Sequence, residues 1–264
     1  MRPDYRNWVP KSMVYGLAGA ALAAFVLFLL FGATGAVLHG TLRLVCGIVF
    51  GAGTLLLAFL AAWMGAIHRT FDYNGKRKLA KTIIDGTARY VDLPEGGAGL
   101  DVGCGSGALT IACAKRNPQA SMTGCDIWSG AYRGSFTKKR CEDNAAAEGV
   151  ANVRFEEGNA VRLPFADGSF DAVTSNYVYH NISGCDRQQL LLETLRVLRK
   201  GGTFAIHDLM GPKRYGDMEA FVRRLREEGY EEVRLIDTTD GTFMGRKEAS
   251  RLGLAGSALL VGRK

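Results

Sequence analysis

A glycine-rich turn carries the residue types best suited to binding a nucleotide-like ligand. Residues 99–110 read Gly-Leu-Asp-Val-Gly-Cys-Gly-Ser-Gly-Ala-Leu-Thr, an apolar strand followed by a turn and the start of a helix. The alternating glycines of the turn are Gly103, Gly105 and Gly107. Glycine allows positive φ angles and close approach of the backbone, and a helix begins with free N–H groups. Asp101, at the end of the strand, adds a carboxylate.

Further polar side chains follow three later strands. Asp126 closes a short apolar strand, Asn159 and Ala160 follow another, and residues 176–181 read Asn-Tyr-Val-Tyr-His-Asn after a third. Open parallel sheets bind their ligands at the carboxyl ends of the strands. We therefore expect these positions to lie near the glycine turn.

The glycine turn alone does not identify the ligand, because Gly103, Gly105 and Ala108 also satisfy the dinucleotide-binding pattern G-x-G-x-x-G/A. Two further motifs distinguish between the possible ligands. Residues 163–171 read Leu-Pro-Phe-Ala-Asp-Gly-Ser-Phe-Asp before a strand, and residues 195–202 read Leu-Arg-Val-Leu-Arg-Lys-Gly-Gly between a helix and a strand. Together these motifs resemble the class I S-adenosylmethionine (SAM) dependent methyltransferase family, over about residues 72–264. A nicotinamide dehydrogenase is the alternative.

Strands and helices alternate along this region, which predicts an α/β fold with helices on both faces of a parallel sheet. Strands are expected at residues 100–102, 122–126, 153–156, 172–175, 203–207, 232–237 and 257–261. Helices are expected at residues 76–91, 108–115, 138–148, 187–199 and 217–228. No helix separates the last two strands, so the last strand is expected to be antiparallel, as the resemblance also implies. The prediction is a Rossmann-like, mostly parallel seven-stranded sheet.

The resemblance implies a role for each candidate cofactor-binding residue. The glycine turn would hold the methionine part of SAM, with Asp101 near its ammonium, and Asp126 would accept both ribose hydroxyls. The other implied contacts are Ile127 on the adenine face, Asn159 and the Ala160 backbone at the adenine edge, and Asn176 near the cofactor. Many relatives have Asp at the position of Asn159, and Asn keeps the acceptor oxygen without its charge.

The loop after the fourth strand holds the candidate catalytic residues, Tyr177 and His180. Methyl transfer is an in-line displacement in which alignment supplies much of the catalysis. His180 has the chemistry to take a proton from the acceptor, and the alternative is that it only forms a hydrogen bond within the loop. The ring of Tyr177 or Tyr179 would lie near the sulfonium. His207 and Asp208, at the end of the fifth strand, are also expected to face the crevice at the strand ends, and a core or capping role is favoured over a catalytic one.

Two uncharged runs precede this region, residues 12–42 and 44–67, separated by Arg43. A bilayer core of about 30 Å needs about 20 apolar helical residues, so each run is long enough to span it. A cleaved signal peptide is disfavoured by the second run. We expect a two-span transmembrane hairpin at residues 1–69 and a methyltransferase domain at residues 70–264.

Basic residues flank the outer ends of the two runs, which predicts an integral membrane protein with both termini and the catalytic domain in the cytoplasm. Gly47 and Gly51 form a G-x-x-x-G pattern on the second run. Such patterns let helices approach closely in lipid. We expect them to pack the two spans on each other, with dimerisation through these helices as the alternative.

Composition limits the partners and cofactors. The net charge is +7, but after residue 69 there are 28 basic against 25 acidic side chains, which argues against a nucleic-acid partner. The six cysteines lack zinc-ligand spacing, so no metal site is predicted and a reduced cytosolic compartment fits. Arsenic methylation by a cysteine trio is conceivable but disfavoured.

The function expected is a membrane-anchored methyltransferase for an apolar or amphipathic small molecule. The link between the second run and the first helix is short, and quinone-type methyltransferases share the soluble pattern, which favours a quinone-like or lipid-like acceptor. Phe71, Tyr73, Tyr177 and Tyr179 are expected to line its entrance. The alternatives are a methyltransferase for a soluble metabolite or a protein, and a noncatalytic SAM-binding membrane scaffold or sensor.

Overall fold

A computed structural model describes residues 2–128 and 136–264. The chain divides into two compact units, one formed by Asn7–Ala80 and the other by Met1–Arg6 together with Lys81–Lys264. The catalytic motifs all lie in the second of these, called here the catalytic unit. It takes in the first few residues of the chain, which the expected boundary at residues 69 and 70 had assigned to the hairpin.

The unit formed by Asn7–Ala80 contains two long apolar helices. Helix α1 (Lys11–Leu27) continues into a π-helical segment (Phe28–Ala33), and helix α2 covers Gly40–Phe71. The most apolar window of each has a mean hydropathy of 2.4, and almost none of its residues is buried. By length and composition both helices are able to cross a membrane.

Glycines allow these two helices to approach closely. A Cβ atom built on Gly32 would lie 2.4 Å from the Cα atom of Gly47, and one on Gly51 would lie 3.4 Å from the ring of Phe28. The guanidinium of Arg43 donates hydrogen bonds of 3.1 and 3.0 Å to the carbonyl oxygens at the end of the first helix. The glycine pattern thus packs the two helices on each other, as predicted.

A seven-stranded sheet forms the centre of the catalytic unit, within the described residues. Its spatial order is β3-β2-β1-β4-β5-β7-β6. Strand β7 runs antiparallel to both of its neighbours and the other pairs are parallel, which confirms the predicted fold. The strands are β1 (Ala98–Val102), β2 (Ser121–Asp126), β3 (Val153–Glu157), β4 (Phe170–Asn176), β5 (Leu198–Leu209), β6 (Glu231–Asp237) and β7 (Ser257–Arg263).

The helices of this region are α3 (Leu79–Ala88), α4 (Ala108–Arg116), α5 (Lys138–Ala147), α6 (Arg187–Arg196), α7 (Pro212–Tyr215), α8 (Met218–Glu227) and α9 (Arg246–Arg251). Helix α3 buries Ile83, Ile84 and Ala88, as its helical spacing predicts. The predicted extension of α6 to residue 199 is wrong, because Leu198 already pairs with Phe170 as the start of β5. Helices α7 and α9 were not predicted, since four and six residues are too short to show a helical period.

Candidate active site

The glycine turn between β1 and α4 has three residues with positive φ: Gly103 at 71°, Gly105 at 56° and Gly107 at 80°. A Cβ atom on Gly103 would lie 2.4 Å from Val178, and one on Gly107 would lie 3.1 Å from Phe155. At Gly105 the nearest atom is a ring carbon of Phe136, 3.9 Å away. Two of the glycines therefore serve close packing, whereas among the described residues no atom lies closer than 3.9 Å to a Cβ on Gly105, which leaves room for a ligand.

Asp126, at the end of β2, holds the glycine turn from the side. Its carboxylate accepts hydrogen bonds from the backbone N–H of Gly105, at 2.9 Å, and from that of Trp128, at 2.8 Å. The indole Nε1–H of Trp128 donates in turn to the Gly105 carbonyl at 3.0 Å. A carboxylate has about four acceptor sites. Counting the described residues, Asp126 keeps acceptor sites for two more hydroxyl groups, and its contact with the ribose stays a prediction.

Asp101 lies buried beneath the turn. Its two oxygens accept hydrogen bonds from the hydroxyls of Thr110, at 2.7 Å, and Thr174, at 2.9 Å. Burial raises the pKa of Asp101 to about 7 despite these two donors. A nearby ammonium group would lower that pKa again, so the predicted role of Asp101 toward the SAM ammonium stays compatible with its surroundings.

The predicted adenine contacts lie at the ends of β2 and β3. Ile127 is 46% exposed, which is unusual for a large apolar side chain directly after a buried strand. Asn159 accepts a hydrogen bond from the Val161 N–H at 2.9 Å, which leaves one lone pair of its Oδ1 for another donor. Ala160 is buried. The adenine-binding roles of these residues stay predictions.

His180 forms a close pair with Asp208, the residue that follows His207 in β5. Their Nδ1 and Oδ1 atoms are 2.5 Å apart, and the backbone N–H of His180 donates to the other carboxylate oxygen at 3.1 Å. Asp208 also accepts hydrogen bonds from the Leu209 N–H and the Tyr215 hydroxyl. Burial opposes its ionisation, but these donors, above all His180, outweigh burial and lower the pKa of Asp208.

Because Asp208 stays ionised, Nδ1 of His180 carries the proton and Nε2 has the free lone pair. The His180 side chain is 17% exposed, whereas that of Asp208 is fully buried. Within the described residues, Nε2 of His180 has no hydrogen-bond partner. The arrangement is that of a general base oriented by a carboxylate. Sequence reasoning placed Asp208 in the crevice at the strand ends but favoured a core or capping role, and it did not foresee the pairing with His180.

Tyr177 lies beside His180, with their ring centroids 5.9 Å apart in an edge-on arrangement. Its φ angle of 55° is unusual for a residue other than glycine, and such backbone strain clusters at functional sites. The Tyr177 hydroxyl is 2.7 Å from the Ser257 hydroxyl at the start of β7. Tyr177 therefore connects the loop after β4 with the start of β7, two strands away in the sheet.

Tyr179 does not line an entrance, so that prediction is wrong. Its side chain is fully buried, and its hydroxyl is 2.6 Å from that of Thr194 in α6. His207 is also buried, as predicted: its ring nitrogens are 2.9 Å from Asn176 Oδ1 and from Thr238 Oγ1. Asn176 is thus placed by a core histidine, and its predicted cofactor contact stays a prediction.

Burial lowers the pKa of His207 to about 3, which gives stability a pH dependence. Below the ordinary pKa of about 6.5 the unfolded chain gains a proton that the folded chain does not. Each further fall of one pH unit therefore lowers the free energy of unfolding by about 1.4 kcal/mol, down to about pH 3. Between pH 7 and pH 5 this amounts to about 2 kcal/mol. Denaturant titrations of the full chain in detergent measure the free energy of unfolding at pH 7 and at pH 5. His207→Gln is expected to make the difference between the two values smaller by this amount. An unchanged difference would contradict the neutral state of His207.

Comparisons with known proteins agree with this geometry. Residues 100–206 match the family described as "Methyltransferase domain". The demethylmenaquinone methyltransferase of Bacillus velezensis is 28% identical over 179 residues, which cover 64% of this chain and 73% of that protein. The enzyme of the same name from Bacillus subtilis gives the same values. The crystal structure of the (4+2)-cyclase SpnF shares the fold, with a TM-score of 0.54 and 22% identity over 73% of this chain and 85% of that one.

Residues 100–206 form a methyltransferase domain, and the fold around them is that of the class I SAM-dependent methyltransferases. The protein is an enzyme that uses SAM as its methyl donor. The open side of Gly105 and the remaining acceptor capacity of Asp126 fit this cofactor.

Proposed function

We propose that the protein is a membrane-anchored methyltransferase for a small amphipathic acceptor with a quinone-like ring. The observation that carries this proposal is the His180–Asp208 pair, because it supplies a base in the loop after β4, the loop whose Val178 packs against Gly103 of the glycine turn. Bound SAM supplies an electrophilic methyl group on sulfur. The glycine turn and Asp126 would hold it, and the acceptor would lie on the side of Tyr177 and His180.

His180 has the task of removing a proton from the acceptor. Its Nε2 takes the proton from a hydroxyl or an acidic C–H group, and Asp208 stabilises the resulting imidazolium through Nδ1–H. Asp208 is itself held by the Tyr215 hydroxyl at 2.9 Å and by a backbone N–H, so the imidazole has a fixed orientation. Tyr177 places an aromatic edge next to the base.

A cavity of about 430 Å³ at the ends of β5 and β6 and the start of β7 supports an apolar ring as the acceptor. Its lining includes Met210, Leu235, Arg246, Ala249, Ser257 and Ala258. Ser257 connects this cavity to Tyr177 and so to the base. The volume lies in the range of small-molecule sites, about 300 to 1,000 Å³. The name that the relatives carry, demethylmenaquinone methyltransferase, supports a quinone-like acceptor.

Two observations support a membrane anchor with both ends on one side. The two apolar helices are long enough to span, and their surfaces are almost entirely unburied. Residues up to Arg6, before the first helix, belong to the same compact unit as Lys81–Lys264, after the second. A folded unit lies on one side of a bilayer. The basic residues at these outer ends favour the cytoplasmic side.

The acceptor class is tested by comparing two versions of the protein. One is the full chain in liposomes, and in the other a Gly/Ser linker replaces residues 12–67, so that the N-terminal residues are kept. Each is assayed with labelled SAM and demethylated quinones of long and short isoprenoid tails. We expect kcat/KM for the long-tailed quinone to fall much more on replacement than that for the short-tailed one. An equal fall would mean that the hairpin only localises the enzyme, and SAM binding without transfer to either quinone would contradict the proposed acceptor.

The anchor itself is tested by extraction. We expect alkaline carbonate to leave the full chain in the membrane pellet, because two spans hold a protein in the bilayer independently of surface charge. The chain with residues 12–67 replaced is the control and should be released. Release of the full chain into the supernatant would indicate peripheral attachment.

A further inference from the structure

Asp4 and Tyr5 are fixed onto helix α5 and the residue after it. We call residues 2–6 the N-terminal strap. Tyr5 in the strap is only 6% exposed. The Asp4 N–H donates to Asn144 Oδ1 at 2.7 Å, and Asn144 Nδ2 donates to the Asp4 carbonyl at 3.1 Å. One side-chain amide therefore binds both backbone polar groups of Asp4.

The same amide reaches the glycine turn. Asn144 Nδ2 also donates to the carbonyl of Ser106 at 3.0 Å, and Ser106 lies between Gly105 and Gly107. Asn144 is 2% exposed, so water does not replace these partners. Both amide hydrogens are thus used, one toward the strap and one toward the turn. Asn144 physically connects the start of the chain with the cofactor turn.

Two contacts flank this connection and hold the strap in place. The Asp4 carboxylate is 2.7 Å from a guanidinium nitrogen of Arg140, and the Tyr5 hydroxyl donates to Glu148 at 3.1 Å. Glu148 also pairs with Lys115 of α4, the helix that begins at the turn. The strap is therefore bound to α5 at three points.

Helix α5 makes a second contact with the turn. The thiol of Cys141 donates to the Gly105 carbonyl at 3.2 Å. Helix α5 thus fixes two successive peptide groups of the turn, those with the carbonyls of Gly105 and Ser106. Glycine-rich backbone has a large conformational entropy to lose, so a turn that is already fixed binds its ligand more tightly.

We propose that the N-terminal strap positions the glycine turn for SAM and that Asn144 is the positioning residue. The strap acts through the turn and not by contact with the cofactor. The proposal rests on SAM binding at this turn. By thermodynamic reciprocity, a ligand that binds the fixed turn more tightly must also hold the strap more tightly.

The test uses the full chain in detergent and S-adenosylhomocysteine as the ligand. Deletion of residues 2–5, and separately Asn144→Leu, are each expected to raise its Kd about five- to thirtyfold, the effect of losing one or two buried hydrogen bonds. The KM for the acceptor should change less than about twofold. Lys139→Ala is the matched control on α5, because its side chain is 80% exposed and pairs only with Asp143 among the contacts described.

A second measurement does not depend on any variant folding. In the unchanged protein, saturating S-adenosylhomocysteine should slow hydrogen exchange in the peptide spanning residues 2–8 by a similar factor. Unchanged exchange, or a Kd within about twofold of the parent in the deletion variant, would overturn the proposal. Asp126→Ala distinguishes the cause, because a Kd unaffected by that change as well would mean that the cofactor site itself is misassigned.

Discussion

Replacing His180 by alanine is expected to lower kcat for methyl transfer by about 10² to 10⁴, the usual contribution of a positioned general base. The affinity for S-adenosylhomocysteine should stay within about twofold, because His180 lies after β4 and makes no contact with the glycine turn among those described. Calorimetry and steady-state assays on the same preparation separate the two effects. Added imidazole should restore part of the activity, since a free base can enter the space left by the side chain.

Asp208→Asn tests the same pair with little change in shape. The amide cannot stabilise a charged imidazolium as a carboxylate does, so kcat should again fall at least tenfold. Asn181→Ala is the matched control, since Asn181 belongs to the same turn, Tyr179–Asn181, and its side chain is directed to the Tyr177 carbonyl. Unchanged kcat in both His180→Ala and Asp208→Asn would show that His180 only forms a hydrogen bond within the loop.

Asp126→Ala is expected to weaken SAM binding by ten- to a hundredfold, which corresponds to about 1.5 to 3 kcal/mol for charge-assisted hydrogen bonds. Two losses contribute: the acceptors predicted for the ribose hydroxyls, and the bonds that hold the N–H groups of Gly105 and Trp128. Titration calorimetry with S-adenosylhomocysteine measures the change.

Glu157→Ala is the control for Asp126→Ala. Glu157 is the parallel-strand partner of Asp126 in the next strand and is exposed, so its removal changes the local charge without touching the turn. If Asp126→Ala and Glu157→Ala bind S-adenosylhomocysteine with the same Kd, Asp126 is excluded from the ribose site.

The arrangement of the sheet could be predicted because its signals are local. Short apolar strands, each followed by a polar or glycine-rich turn, identify all seven strands of the described sheet, and the absence of a helix before β7 indicates its direction. The start of β5 was missed because residues 198 and 199 continue the helix-like pattern of α6 and the glycines at 201 and 202 indicate a turn. The pairing of Leu198 with the strand that begins at Phe170 outweighs that pattern.

The parts of the site that could not be predicted depend on contacts between distant residues. Tyr177 and Tyr179 look equivalent in sequence, but the turn that begins at Tyr179 directs its ring into the core. Asp208 pairs with His180, which lies 28 residues before it in the sequence, and Asp4 binds Asn144, which lies 140 residues after it. Local patterns carry no information on such partners. A core or capping role was therefore favoured for Asp208, and the strap was not predicted.

The catalytic unit is built from two pieces of chain, and this has a consequence for biosynthesis. Asp4 leaves the ribosome 140 residues before Asn144. At about 5 to 20 residues per second it waits about 7 to 28 seconds for its partner, while both apolar helices are made. In the membrane-anchored protein proposed above, the strap can dock only if the second helix returns the chain to the side of the bilayer where the first began. Insertion of only one of the two helices would then leave the strap and α5 in separate compartments, so cofactor affinity would report whether insertion was correct.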